Sequence, residues 1–329
     1  MTRLVDLGPT LQQSVLETAR KQVQAIVSAA RAGAVATNNQ FVFFAAFDGT
    51  NNDLTTDGHG QNTNVAQLFL QAQAAQQNNP DLDANYYPGP GTKGTLSKSD
   101  WLNSQVTKQV IKTAENAYDD FARSASAWLE SHPGGAVNVA LTSFSRGIAS
   151  AAIFTQLLNQ KGLTDPATQN KVLIAPGQVK VAAGVIFDPV ATGVTANIAF
   201  APNVSNVVNV RAQDDYRQLF KAVDYSRQAG VTTVPMIGNH CDVGGGYDNG
   251  IAALTLQAAT DFFRNSGIAI GPVAANRQFT GVASIAIHTE QFDDNGQPKW
   301  DVYPPGFLSA VIKDPSPRLV DSNIVMTGR

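Results

Sequence analysis

The hexapeptide Thr142-Ser-Phe-Ser-Arg-Gly147 sets a serine between a short apolar strand and the first turn of a helix. A serine hydroxyl is a weak nucleophile until a nearby base removes its proton, and a sharp strand-to-helix turn exposes it above a sheet edge. Ser145 is therefore a candidate nucleophile. The competing reading is a helix cap for the segment that starts near Arg146. A base must come from four histidines. His59, in Asp57-Gly-His-Gly60, and His132, before Pro133, lie in loop-like contexts. His240 follows an apolar strand and opens His240-Cys-Asp-Val-Gly-Gly-Gly-Tyr247, where successive glycines allow close backbone approach to a ligand. His288 ends the apolar segment Ile285-Ala-Ile287 and is the alternative. The acid that orients such a base could be Asp188, Asp214, Asp215 or Asp242.

A second constellation is Phe47-Asp-Gly-Thr-Asn-Asn-Asp53. An aspartate at a strand end followed by glycine can present the backbone N–H groups of Gly49 and Thr50 at the same sheet edge. With the N–H of Arg146 these would form an oxyanion hole. Asp48, Asn51, Asn52 and Asp53 could instead be an oxygen-rich metal site, or simply a polar turn.

These residues need elements to hold them. Residues 41–47 and 181–187 are continuous apolar runs of strand length, as expected of strands covered on both faces. Further strands are expected at 85–87, 136–142, 204–210 and 231–237, with a last one at 283–288. Helical spacing marks 10–31, 63–73, 100–129, 147–160 and 251–265. Alternation of strands and helices predicts an α/β fold with a mostly parallel sheet flanked by helices, in a single domain. Its expected divisions are an N-terminal helix packing on the domain (1–40), a catalytic domain (41–300) and an irregular tail (301–329). Ser145, Asp188 and His240 then all fall at strand C-termini, where open α/β sheets bind ligands, in the chain order of α/β-hydrolases.

Composition excludes several classes. The 329 residues carry 23 Lys+Arg against 26 Asp+Glu, so no basic excess marks a nucleic-acid binder. Hydrophobic residues at 43% against 15% charged describe a folded chain. The single cysteine, Cys241, rules out an internal disulfide and a cysteine-based zinc site. Its expected role is that of a buried, inert thiol. No run reaches membrane-span length, and the first 33 residues lack the pattern of a cleaved signal peptide. The expectation is synthesis in the cytoplasm.

Five segments resemble one family: Phe47-Asp-Gly-Thr-Asn-Asn52, Tyr86-Tyr-Pro-Gly-Pro-Gly-Thr92, Ser143-Phe-Ser-Arg-Gly147, Val185-Ile-Phe-Asp-Pro-Val190 and Gly238-Asn-His-Cys-Asp-Val-Gly-Gly-Gly-Tyr247. They are similar to the DUF2235 α/β-hydrolase domain of type VI secretion phospholipase effectors. The chain departs from that pattern at Ser143 for glycine, Pro189 for threonine and Cys241 for serine. The resemblance implies Ser145 as nucleophile, His240 as base and Asp188 as orienting acid, with Asp242 and His288 as alternatives. It implies a phospholipase A or lipase acting through an acyl-enzyme with no metal or organic cofactor. Other readings are a small-ester carboxylesterase, a metal-dependent hydrolase centred on Asp48, and a non-catalytic binding module on the same scaffold. The implied partners are a lipid or other ester, a transiently contacted membrane surface, and a secretion-apparatus or immunity protein, with export to a target cell. Val194, Ile198 and Phe200, in the apolar segment 191–204, are expected to form a mobile flap over an acyl pocket.

Overall fold

The computed structural model describes residues 3–4, 7–35, 38–55, 63–96, 104–168, 171–215, 217–247, 249–289 and 320–321. Its centre is a six-stranded sheet of β1 (Gln40–Phe47), β2 (Leu82–Tyr87), β3 (Ala136–Phe144), β4 (Lys180–Phe187), β5 (Val207–Ala212) and β6 (Val231–Met236). The strands lie in the order β6-β5-β4-β3-β1-β2, and every neighbouring pair is parallel. From β1 the chain passes to β2 on one side and then to β3 on the other. That reversal opens a crevice at the strand C-termini, where Asp48 and Ser145 sit.

The apolar run in β1 is explained by its two covered faces. Phe44 and Ala46 belong to one core, with Leu16 and Ile26 of α1 (Gly8–Ser28), Leu68 of α2 (Asn64–Gln76) and Phe262 and Phe263 of α6 (Gly250–Asn265). Phe43, Ala45 and Phe47 point the other way, into a core with Phe121 of α3 (Ser104–Ser131) and Phe154 and Leu158 of α4 (Gly147–Lys161). Side chains alternate across a strand, so a strand buried on both faces needs apolar residues at every position. Between β6 and α6 lies the short α5 (His240–Gly244). Among the described residues no helix is long and apolar enough to cross a membrane.

The expected last strand at 283–288 does not join the sheet. Residues 282–284 form a single 3-10 turn, and His288 and Thr289 pair antiparallel with Leu4 and Arg3. Ile285 and Ile287 are both 1% exposed. The alternation there records one buried face of an extended segment, which burial alone produces without sheet pairing. The tail beyond Trp300 lies outside the described residues apart from Val320 and Asp321, which pair with Ala222 and Val223. Residues 100–103, expected in α3, also lie outside them.

Phe154 is fully buried, with ring centroids 6.2, 5.7 and 6.4 Å from those of Phe43, Phe47 and Phe121. Phe154→Ala is expected to cost about 3–5 kcal/mol, because the helix can collapse only partly into the void. Urea unfolding measures it; a loss under about 1 kcal/mol would contradict this packing.

Candidate active site

β3 ends at Phe144 and α4 begins at Gly147, which leaves Ser145 and Arg146 to make the turn. Ser145 has φ +53°, in the left-handed region where a side chain costs on the order of 1–3 kcal/mol. The turn is held from outside: Ser145 N–H donates to the Phe187 carbonyl at 3.1 Å, and Val190 N–H donates to the Ser145 carbonyl at 3.3 Å. Gly147 packs against the end of β1. A Cβ there would lie 2.4 Å from the Phe47 carbonyl oxygen and 2.6 Å from that of Asp48. Ser143 stands where the usual pattern has glycine. It is buried between its register partners Phe47 and Ile186, and a serine fits.

Asp188, directly after β4, is also at positive φ, +39°, and fully buried. Its Oδ1 accepts from Ala212 N–H at 3.0 Å and its Oδ2 lies 2.6 Å from His240 Nδ1. The His240 ring sits between Phe144 and Phe220, with centroids at 4.5 and 5.1 Å. Burial disfavours the imidazolium and holds His240 below its ordinary value of 6.5, against the opposing pull of Asp188. His240 is thus neutral near pH 7, as a proton acceptor must be.

Around the serine, the 48–52 loop is fixed by neighbours the sequence reading assigned no role. Asp48 accepts from Thr63 Oγ1 and from the Tyr86 hydroxyl, each at 2.7 Å, and from Gly49 N–H at 2.7 Å. Burial pushes its carboxyl up to about 6, while those three donors pull it back. The Tyr-Pro-Gly-Pro-Gly segment lies under the loop: Asn51 N–H donates to the Pro90 carbonyl and Gly89 N–H to the Asn52 carbonyl. A Cβ on Gly89 would stand 1.6 Å from the Gly49 carbonyl oxygen, so only glycine allows this approach. Gly49 N–H is taken by Asp48, Asn51 N–H by Pro90 and Asn52 N–H by Gly49. Of the expected loop donors, the N–H of Thr50 is left for a ligand. Thr50 is also clamped through Oγ1 by Arg146 Nη1 at 3.1 Å, while Arg146 Nε donates to the Thr192 carbonyl at 2.7 Å.

Ser145, Arg146, Thr50 and His240 line one cavity of about 480 Å³, walled by Phe144, Phe220 and Tyr247. Cys241 also lines it, so its thiol is half-buried rather than sealed in the core. Asp242 and His288, the alternative acid and base, pair with each other at 2.6 Å. Asp242 also closes a capping box on α5 with Asn239 and accepts from Asn249. His288 stacks on Tyr247 with centroids 4.0 Å apart, behind the cavity wall. Asp215 ion-pairs with Arg217, and Asp214 accepts from Gly238 N–H. His132 stacks on Trp128 at the end of α3, and His59 lies outside the described residues. No group of three or more metal-ligating side chains converges among the described residues.

The expected flap is corrected by the packing. Ile198 and Phe200 are buried in the α3–α4 core at 1% and 4% exposure, Val194 packs against it, and none of the three lines the cavity. Tyr225 hydroxyl donates to the Ile198 carbonyl, and Gln156 Nε2 donates to the carbonyls of Asn197 and Ala199. Between β4 and β5 no helix intervenes, so this connection must fill core space itself, and its apolar residues serve that packing.

The parallel sheet with a strained serine turn at its switch point defines an α/β-hydrolase-like fold. Residues 42–180 match the family described as "T6SS, Phospholipase effector Tle1-like, catalytic domain", which bears out the family resemblance; the motif segments around Asp188 and His240 lie beyond the matched residues. No curated protein matches significantly. A crystal structure of an uncharacterized protein from Pseudomonas aeruginosa is similar over 83% of this chain and 52% of its own, at 15% identity and a TM-score of 0.50, and shares the fold. The structure of the Tle1 effector bound to the VgrG spike of the type 6 secretion system aligns over 64% of this chain and 52% of its own, at 18% identity and a TM-score of 0.44. The chain spans about half the length of each.

Gly147→Ala must push the elbow away from the Phe47 and Asp48 carbonyls. It is expected to cost about 1–3 kcal/mol of stability, as overpacking does, measured by thermal or urea unfolding. A wild-type transition would contradict the described contact.

Proposed function

We propose that this protein is a serine carboxylic-ester hydrolase of the phospholipase A or lipase type, with Ser145 as nucleophile, His240 as base and Asp188 as the acid that orients His240. The observation that carries the reading is the buried 2.6 Å Asp188–His240 contact opening onto the same cavity as a serine at φ +53°. The phospholipase-effector family match over residues 42–180 supports a lipid ester as substrate and delivery by a secretion apparatus to a target cell.

In the proposed reaction Ser145 Oγ attacks the ester carbonyl carbon as its proton passes to His240 Nε2. Asp188 on Nδ1 holds the tautomer that leaves Nε2 able to accept, and it stabilises the imidazolium. The carbonyl oxygen becomes an oxyanion, met by the N–H of Thr50 and that of Arg146. Loss of one such donor typically lowers turnover by about 10²–10³. The tetrahedral intermediate expels the alcohol, which takes the proton from His240. Water then attacks the acyl-enzyme with His240 again as base, releasing the fatty acid and restoring Ser145.

Ser145→Ala and His240→Ala should each lower turnover on the order of 10⁶; Ser145→Ala should leave the unfolding transition unchanged, whereas His240→Ala also leaves the buried Asp188 without its partner and should lower it. Activity of Ser145→Ala within tenfold of wild type would overturn the assignment. The pH profile is a second check. A base held below 6.5 is mostly neutral at pH 7 and gains its proton only at lower pH, so the acid limb of kcat/KM should have its midpoint below 6.5. A midpoint above 7 would contradict the buried environment of His240.

A further inference from the structure

The Asp242–His288 pair is as close as the Asp188–His240 pair, 2.6 Å in each, yet the reaction described above uses only the latter. Four contacts converge on the Asp242 carboxyl, which is fully buried. Its Oδ2 accepts from Asn239 N–H at 3.0 Å and from His288 N–H at 2.9 Å. Its Oδ1 accepts from Asn249 Nδ2 at 2.6 Å and faces His288 Nδ1. Asn239 directly precedes His240, Asn249 caps α6 by accepting from Ala252 N–H at 2.9 Å, and His288 pairs through its backbone with Leu4. One carboxyl thus ties three separate segments together at the start of α5.

The tie bears on the base because α5 has only five residues and His240 is the first of them. A helix of one turn does not hold itself in water. Its far end is set by contact: a Cβ on Gly244 would lie 2.1 Å from Phe144 Cε2, so α5 rests on the residue that precedes Ser145. Its near end is set by Asp242, whose N–H donates back to Asn239 Oδ1 at 2.8 Å. Gly238, at φ +110°, brings the chain in against the same residue, since a Cβ there would lie 2.9 Å from Asp242 Cβ. Asp188 reaches His240 only at Nδ1 of the ring. A contact at one ring atom does not fix the backbone that carries the ring, and a shift of that backbone moves Nε2 with it. A misplacement of about 1 Å can cost on the order of 10² in rate.

We propose that Asp242 is the positioning residue of the base: it fixes the backbone of His240 so that Nε2 stands within reach of Ser145, and His288 holds the Asp242 carboxyl in place. This rests on the serine-hydrolase reading and deepens it, giving the second aspartate and histidine a task of their own.

The test measures kcat and KM on 4-nitrophenyl hexanoate, with fluorophosphonate labelling rates, for Asp242→Asn, His288→Ala and His288→Asn. Each value is scaled to the folded fraction given by the unfolding transition. Asparagine keeps a side-chain nitrogen near the place of imidazole Nδ1, so His288→Asn is the conservative variant. Asp242→Asn should lower kcat by about 10²-fold and His288→Ala by about tenfold, with KM within about twofold of wild type. Labelling should slow in parallel, and His288→Asn should return kcat to within about threefold of wild type. A merely structural role would lower the unfolding midpoint and leave kcat per folded molecule unchanged. That result, or an equal loss of kcat in His288→Ala and His288→Asn, would overturn the positioning role. If Asp242→Asn does not fold, the two His288 variants decide. Ser145→Ala run beside them separates the two claims: hydrolysis that persists in it overturns the serine reading. An inactive Ser145→Ala with wild-type kcat in the Asp242 and His288 variants overturns the positioning role alone.

Discussion

Everything at the carboxyl edge of this sheet hangs on how closely the turn after β3 approaches the end of β1. Gly147 brings the start of α4 against the carbonyls of Phe47 and Asp48, and the short turn that joins strand to helix there holds Ser145 at φ +53°. The strain is sustained by neighbours that would lose their own hydrogen bonds if the turn relaxed, since Phe187 and Val190 both bond to the Ser145 backbone. The same approach sets Arg146 where its side chain can clamp Thr50 and tie Thr192. Position of the hydroxyl, position of the 48–52 loop and position of the segment after β4 are therefore one mechanical problem.

Parallel topology carries that local constraint to the other groups. Because β1, β3 and β4 are adjacent and run the same way, Asp48, Ser145 and Asp188 emerge side by side. The next strand supplies Ala212, whose N–H fixes Asp188 Oδ1, and the one after it leads to His240 on α5. Each strand adds one group, and burial then tunes it: His240 is held below its ordinary value and Asp48 above its own. A buried carboxylate at Asp48 is tolerable because Thr63, Tyr86 and Gly49 all donate to it.

Much of this was legible in the sequence. The continuous apolar runs give β1 and β4 because central parallel strands must be apolar on both faces, and Ser145, Asp188 and His240 are recognisable by standing at or just after strand ends. What failed was anything decided by long-range packing. His240 and His288 both follow apolar segments, and Asp188 and Asp242 both stand near one of them; which histidine meets which aspartate is set by α5 folding back over β5. The Asn239 and Asp242 spacing did carry a capping signal that placed Asp242 at a helix start. The 191–204 segment was misread because apolar residues in a connection look the same whether they cover a ligand or complete a core. Tyr86 and Gly89 stood in a quoted motif, but their task of bracing the 48–52 loop depends on β2 lying beside β1, which no local pattern records.

The central claim is that Ser145 is an activated nucleophile, its proton drawn by the Asp188-held His240. Intact-mass analysis after exposure to a fluorophosphonate tests it most directly, because the probe reacts with activated serines whatever the natural ester. The account predicts one adduct on the wild-type chain, none on Ser145→Ala, and slow or absent labelling of a folded His240→Ala. An adduct that persists on Ser145→Ala, or equal labelling rates with and without His240, would contradict it.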